Sequence, residues 1–247
     1  MTAEVLAEHR LIWETKPVLR AVYTNYYRKI VSWCREGRSL EIGGGSGNLK
    51  EFATDVVSTD IAEIPWLDAV ADAQTLPFPD GVFTNIVMVD VFHHIEQPRL
   101  FLAEAERVLG PGGRLIMVEP AITLLSGLFW RLFHPEPVDM TADPLAEVTP
   151  DPDRQPFDSN QAIPTLLCGR YLERMGREFP ALKPIEIEKF DFLAYPLSGG
   201  FRLWSLLPAM AVPGVFKHES LFLPLIGRWV AFRMLAVFEK TTEPMFN

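Results

Sequence analysis

The chain has little of what would tie it to several common classes of protein. Its two cysteines, Cys34 and Cys168, lie far apart and outside any ligand-like spacing, so neither a disulfide framework nor a cysteine-built zinc site is expected. No uninterrupted apolar run reaches the roughly 18 residues of a membrane-crossing helix. The nearest stretches, 203–216 and 221–238, are broken by Pro208 and Pro213 and by Pro224, Arg228 and Arg233. Positive charge is scarce, with 23 Lys and Arg against 32 Asp and Glu for a net charge of −9. No basic stripe offsets that balance, so nucleic acid is not an expected partner. The opening Met-Thr-Ala-Glu-Val runs on with mixed charge and lacks the apolar core of a secretory signal, which makes the cytoplasm the expected location. Disorder is excluded in turn, because 48% of the residues are hydrophobic and 22% charged. A chain of 247 residues is long enough for one domain with a substantial core.

What is present concentrates in Leu40-Glu41-Ile42-Gly43-Gly44-Gly45-Ser46-Gly47-Asn48, where an acid ends an apolar run and glycines stand at 43, 45 and 47. Glycine turns sharply at positive φ and lets a ligand approach the backbone. Placed after a strand, such a turn aims N–H groups at a nucleotide-like molecule. The dinucleotide fingerprint would need glycine at 43, 45 and 48, but position 48 is Asn and the third glycine comes one residue early. That spacing counts against NAD and an NAD-dependent oxidoreductase.

Around this loop, short apolar runs alternate with amphipathic stretches. Helical spacing over 3–35, interrupted at Pro17, predicts two helices. Strands are predicted at 39–42, 56–59, 69–71, 85–89 and 113–118, and helices at 46–53 and 98–109, the latter closed by Gly110-Pro111-Gly112-Gly113. Strands alternating with helices imply a parallel sheet with its ligand at the carboxyl ends of the strands. Beyond 120 the character changes. Residues 121–133 predict an apolar helix, and 134–160 carry six prolines, seven acids and one Arg, as an extended binding loop or lid would. A helix is predicted over 162–179, and strands over 184–192 and 231–238.

With these motifs in order, the chain resembles the class I S-adenosylmethionine-dependent methyltransferases of the small-molecule type. The likeness rests on Glu41, Gly43, Gly45 and Gly47, on Asp60 in VVSTDI, on Asp72-Ala73, and on LPFPDGVFTNIVMVDVFHHI followed by RVLGPGGRLIMVEP. It covers roughly residues 37–120 strongly. It implies an α/β fold, a doubly wound, mostly parallel seven-stranded sheet with helices on both faces, within one domain spanning 1–247. Residues 1–36 would then form a helical lid, 37–120 the cofactor-binding core, and 121–161 with 197–230 a mainly helical cap. The resemblance further implies S-adenosylmethionine as cofactor, with S-adenosylhomocysteine as product. Asp60 would bind the ribose hydroxyls, which suits a carboxylate accepting two hydrogen bonds from a diol. Asp72 and Ala73 would face the adenine. Glu41 would organise the loop around the methionine moiety, and Gly44, Ile61 and Asp90 complete the expected cofactor set.

His93 and His94 follow the fourth strand, where a neutral imidazole would take a proton from an acceptor hydroxyl. Local packing explains them as well. A metal site of Asp90, His93 and His94 is not expected, because no further ligand is spaced to complete it. Tyr23, Tyr26 and Tyr27, with Trp13, are candidates for closing the site or for an ordinary core face. Methyl transfer from a sulfonium asks the protein mainly to align two groups and exclude water, so the motifs leave the acceptor open. Phe129, Trp130, Phe133, Phe201, Trp204, Phe216, Phe222 and Trp229 would supply an apolar pocket for a small or lipid-like acceptor. The same segments would equally suit a homodimer interface, a peripheral membrane contact or additional core helices. A cofactor-binding protein without transferase activity is the remaining alternative.

Overall fold

The computed structural model describes residues 2–241. The first strand forms where the apolar run predicts it: β1 (Ser39–Ile42) is buried along its whole length, as befits a central strand of a covered sheet. It pairs in parallel with β2 (Val56–Asp60) on one side and β4 (Phe83–Val89) on the other. Outside β2 lies the short β3 (Ala69–Val70), and outside β4 lies β5 (Leu109–Pro120). β7 (Arg233–Lys240) then runs antiparallel between β5 and β6 (Leu182–Phe190). The strand order is β3-β2-β1-β4-β5-β7-β6. The expected seven strands are therefore present, with β7 alone reversed. The order turns round between β1 and β4, and the carboxyl ends there open a crevice.

Eight helices cover the two faces among the described residues. α1 (Thr2–Thr15) and α2 (Pro17–Trp33) divide at Pro17 as predicted. They take the face where a helix was expected over 46–53. That segment makes only one turn, at Leu49–Glu51. Left-handed turns at Gly45 and Gly47 use up the residues a helix would need before β2 begins at Val56. Tyr27 of α2 stacks on Phe52, and Leu49 is fully buried with Trp13, Val22 and Tyr26. The N-terminal pair thus replaces the missing crossover helix.

On the other face α3 (Pro98–Val108) buries Phe101, Leu102 and Ala105. α4 (Leu124–Phe133) begins at a capping box formed by Thr123 and Ser126, which satisfies two helix-end donors reciprocally. The helix predicted over 162–179 is instead two, α5 (Ile163–Leu167) and α6 (Leu172–Glu178). The chain turns between them, with the Tyr171 N–H donating to the Leu166 carbonyl. A Cβ at Gly169 would come within 2.9 Å of the Thr165 carbonyl oxygen, so glycine suits the break. α7 (Ala194–Ser198) and α8 (Val212–Val230) fill the connection between β6 and β7. Residues 134–160 form no helix or strand. Among the described residues no helix is long and apolar enough to cross a membrane.

Candidate functional site

The crevice at the strand ends is a cavity of about 710 Å³, within the ~300–1,000 Å³ range of small-molecule sites. Its two ends differ in chemistry. At one end the glycine loop leaves β1. Gly43, Gly45 and Gly47 have φ of 65°, 46° and 75°, a region most side chains avoid. A Cβ at Gly43 would lie 2.3 Å from Val91, whereas one at Gly45 would meet nothing nearer than Leu6 at 3.6 Å. Gly43 is therefore required by packing, and Gly45 borders open space in the cavity. The loop is held by the Gly44 N–H donating to the Thr59 carbonyl at 2.8 Å and the Gly45 N–H to Asp60 Oδ2 at 3.1 Å. Trp66 Nε1 donates to the Gly45 carbonyl at 2.8 Å.

Asp60 ends β2 at the cavity wall, with its second oxygen accepting from the Ala62 N–H at 3.1 Å. Each carboxylate oxygen carries one backbone bond and retains a lone pair for a diol. Ile61, Asp72 and Ala73 line the same end. Asp72 Oδ1 accepts from the Gln74 N–H at 2.8 Å, which fixes the turn. Glu41 and Gly47 do not line the cavity. The Glu41 side chain turns beneath the loop to the Ser58 hydroxyl. Burial pushes its carboxyl up to about 7 against the opposing Ser58 bond. It organises the loop from behind, with no carboxylate facing the cavity. The glycines, the diol-ready acid and the wall beyond it fit an adenosyl group carrying an amino-acid tail.

Asp90 marks the middle of the cavity. It adopts φ 57° just after β4, accepts from the Tyr23 hydroxyl at 2.7 Å and pairs with Arg233. Arg233 is 1% exposed, and its guanidinium stands 3.9 Å from the Tyr195 ring centroid.

The other end is aromatic and carries a cluster of ionisable groups. Phe129, Trp130, Phe133, Phe201 and Trp204 wall it. Phe133 and Trp204 are 60% and 45% exposed. The loop bearing Phe201 and Trp204 is gathered by Lys16, whose Nζ donates to the carbonyls of Ser198, Gly200, Arg202 and Trp204 at 2.5–3.0 Å. His93 is buried, with Nδ1 2.6 Å from Glu119 Oε2 and Nε2 3.4 Å from Glu136 Oε2. Burial alone would lower its imidazole, but the Glu119 carboxylate and then Glu136 outweigh that and raise it to about 10. Glu136 is opposed by burial yet held near 2 by His93. His94 is lowered, by burial and then by the His93 charge. Its Nδ1 is buried and without a hydrogen-bond partner among the described residues.

The fold thus draws Gly43, Gly44, Gly45, Asp60, Ile61, Asp72, Ala73, Asp90, His93 and His94 to one cavity. Of the aromatic candidates, Tyr23 and Tyr27 reach it, while Tyr26 and Trp13 pack in the core. Sequence reasoning missed Glu119, Glu136 and Arg233. Glu119 closes the apolar run LIMVEP much as Asp60 closes VVSTDI, and Arg233 interrupts an otherwise apolar strand. Both are readable signals. Glu136 is one of seven acids in its loop, and nothing in the pattern distinguishes it.

Residues 40–117 match the family described as "Methyltransferase domain". Demethylmenaquinone methyltransferase of Thermus thermophilus is 33% identical over 120 residues, covering 39% of this chain and 54% of that protein. The ubiquinone/menaquinone biosynthesis C-methyltransferase of Saccharophagus degradans is 34% identical over 113 residues, covering 36% and 45%. The chain spans about half the length of the curated relatives it matches. Among solved structures, an S-adenosylmethionine-dependent methyltransferase of Thermotoga maritima superposes with a TM-score of 0.55 at 15% identity, over 97% of this chain and 99% of that one. One from Archaeoglobus fulgidus gives 0.51 at 15% identity, over 94% and 98%.

Proposed function

Since residues 40–117 match a methyltransferase domain and the fold is shared with S-adenosylmethionine-dependent methyltransferases, we propose that the chain methylates a hydrophobic, ring-bearing acceptor with an ionisable hydroxyl, of the quinol kind. The observation that carries this reading is the split cavity, with a glycine-and-carboxylate end joined to an aromatic chamber. The names of the partial relatives, which act in menaquinone and ubiquinone biosynthesis, point the same way. A flat aromatic acceptor suits walls of Phe and Trp, which offer large apolar area and stacking faces.

In this reading Asp60 holds the ribose diol, Ile61 and Ala73 flank the purine, and Asp72 faces its edge. The methionine moiety lies against the glycine turn, where Gly45 borders open space and Gly43, Gly44 and Ser46 line the cavity. The bound cofactor supplies a sulfonium methyl group with a good leaving group. Asp90, fixed by Tyr23 and Arg233, borders the space where methyl and acceptor meet. His94 is the base for the acceptor hydroxyl, because burial and the His93 charge lower its imidazole and its Nδ1 has no hydrogen-bond partner among the described residues. His93, charged and held between two carboxylates, positions the corner. The wall from Phe129 to Trp204 excludes water, which would otherwise compete for alignment.

The test is calorimetry with S-adenosylmethionine and NAD, followed by a labelled-methyl transfer assay. A short-chain naphthoquinol should be methylated at least about tenfold faster than a hydrophilic catechol, a gap of roughly 1.4 kcal/mol. Cofactor binding with no transfer to any ring hydroxyl acceptor would favour a binding protein without transferase activity. Preference for NAD would end the reading.

A further inference from the structure

At the chamber end, three ligand-type atoms of His93, His94 and Glu136 lie within 4.8 Å of one another. We propose that His93 Nε2, His94 Nδ1 and a Glu136 carboxylate oxygen form a site for one divalent transition ion, Zn²⁺ or Fe²⁺. Its open side would face the aromatic chamber and take an oxygen donor of the acceptor. Two imidazoles and one carboxylate with a vacant position are a donor set that these ions favour.

Four observations carry this. The His93 Nε2 to Glu136 Oε2 separation of 3.4 Å is long for a hydrogen bond, whose usual N···O distance is about 2.9 Å. It matches the edge, about 3.4 Å, of a tetrahedron with ~2.1 Å metal bonds. Second, the far nitrogen of His93 is already oriented. His93 Nδ1 stands 2.6 Å from the Glu119 carboxylate. Metal-ligating histidines characteristically give their second N–H to a carboxylate or a carbonyl in this way. Third, His94 Nδ1 is left buried and unpartnered among the described residues, although an orphaned buried nitrogen is destabilising. Fourth, Glu119 and Glu136 both set a carboxylate against the buried His93 ring, at 2.6 and 3.4 Å. A divalent ion with neutral histidines would balance that corner, as buried charges require.

The widest separation in the set, up to 4.8 Å, would have to close by up to about 1.4 Å to reach the tetrahedral edge of about 3.4 Å, a shift within reach of a change in the His94 or Glu136 side-chain torsions. The sequence placed Asp90 beside the two histidines and offered no further ligand to complete that set. In the fold Asp90 is committed to Arg233 and Tyr23, and Glu136 arrives from the acidic loop. The ion's role toward an acceptor rests on the methyl-transfer reading, with His94 then a ligand in place of a base. Its binding does not.

The test uses the full-length protein after chelation, titrated with Co²⁺ alone and followed by visible d–d absorption, then with Zn²⁺ alone by calorimetry. One ion per chain is expected. His94→Ala and Glu136→Gln should each weaken binding at least tenfold, and Glu119→Gln about 10–100-fold as an outer-shell change. The variants sit on separate segments, so if one fails to fold the others decide. Absence of stoichiometric binding, or an unchanged Co²⁺ spectrum and affinity in folded variants, would overturn the site. A parallel titration of the chelated protein with S-adenosylmethionine keeps the outcomes apart. Cofactor binding without ion binding removes the metal alone, and ion binding without cofactor binding removes the methyl-transfer reading.

Discussion

The two ends of the cavity are built by different means. At the glycine end each group sits at a strand terminus or in the turn after it: Gly43–Gly45 after β1, Asp60 and Ile61 at β2, Asp72 and Ala73 beyond β3. Backbone geometry alone points these groups into the crevice. At the chamber end the groups come from Glu119, Glu136, Tyr195 and Arg233, on a strand end, a loop, a short helix and the reversed strand β7. Only tertiary packing brings them together. The carboxyl ends of the strands therefore build the glycine end with few residues, whereas the aromatic end requires contributions from distant parts of the chain.

Asp90 joins the two ends, and breaking it should have the largest effect. Removing one partner of a buried ion pair costs about 3–5 kcal/mol, because the remaining charge is stranded. Asp90→Ala leaves Arg233 buried with its Nε already unpartnered among the described residues. Urea unfolding should show a loss of that order, and the double variant Asp90→Ala with Arg233→Met should recover much of it. Equal losses in the single and double variants would show that the pair does not couple the two ends.

Next in size comes the loop. Gly45→Leu would put its side chain into the cavity at φ 46°. Affinity for S-adenosylmethionine should fall by more than about 100-fold, while the left-handed backbone costs about 1–3 kcal/mol of stability. Unchanged affinity by calorimetry would remove the loop from the site. Asp60→Ala should weaken the cofactor about 10–100-fold, in keeping with about 1.5–3 kcal/mol for hydrogen bonds to a charged group. It should leave the KM for the acceptor unchanged, a separation that tests whether the two ends are independent.

The unequal construction explains what could be read in advance. Periodicity located the sheet, because strands buried on both faces are continuous apolar runs, and the Asp60 and Asp72 positions follow from where those runs stop. It failed over 46–53, where two left-handed glycines shortened the segment to a single turn. It also failed over 162–179, where a turn at Gly169 divides one amphipathic stretch into α5 and α6. Glu136 was invisible for a different reason. Its partner His93 stands more than forty residues earlier, and no local pattern encodes a pairing made by a loop without regular structure.

A smaller effect distinguishes a carboxylate behind the loop from one facing the ligand. Glu41 is buried, with its carboxyl raised to about 7, above its value in an unfolded chain. The folded state then holds a proton that the unfolded state has released, so stability falls as pH rises from about 4.5 to 7. Between pH 5 and 7, Glu41→Gln should flatten the profile relative to the parent by about 1–2 kcal/mol, at 1.36 kcal/mol per pK unit. Parallel profiles would mean an ionised carboxylate, and would return Glu41 to the ligand side.

The smallest change tests the chamber. Phe133 lines the cavity yet is 60% exposed, so it contributes little to the core, and Phe133→Ala should shift stability by no more than about 0.5 kcal/mol. Its ring would still lose the contact it makes with a hydrophobic acceptor, worth about 1 kcal/mol at partial burial. The acceptor KM should accordingly rise about fivefold with no change in cofactor affinity. Phe133 stands beside exposed Leu132 on α4 and accepts at its carbonyl from Arg202 at 2.9 Å. Leu203 and Leu206 of the same loop are exposed, so apolar side chains stand outside the chamber next to its wall. An acceptor with a long hydrocarbon tail should lose more than a short-chain analogue in this variant, because only the tail reaches that surface. Equal losses for both would confine the acceptor to the interior of the chamber and leave the outer leucines without a part in binding.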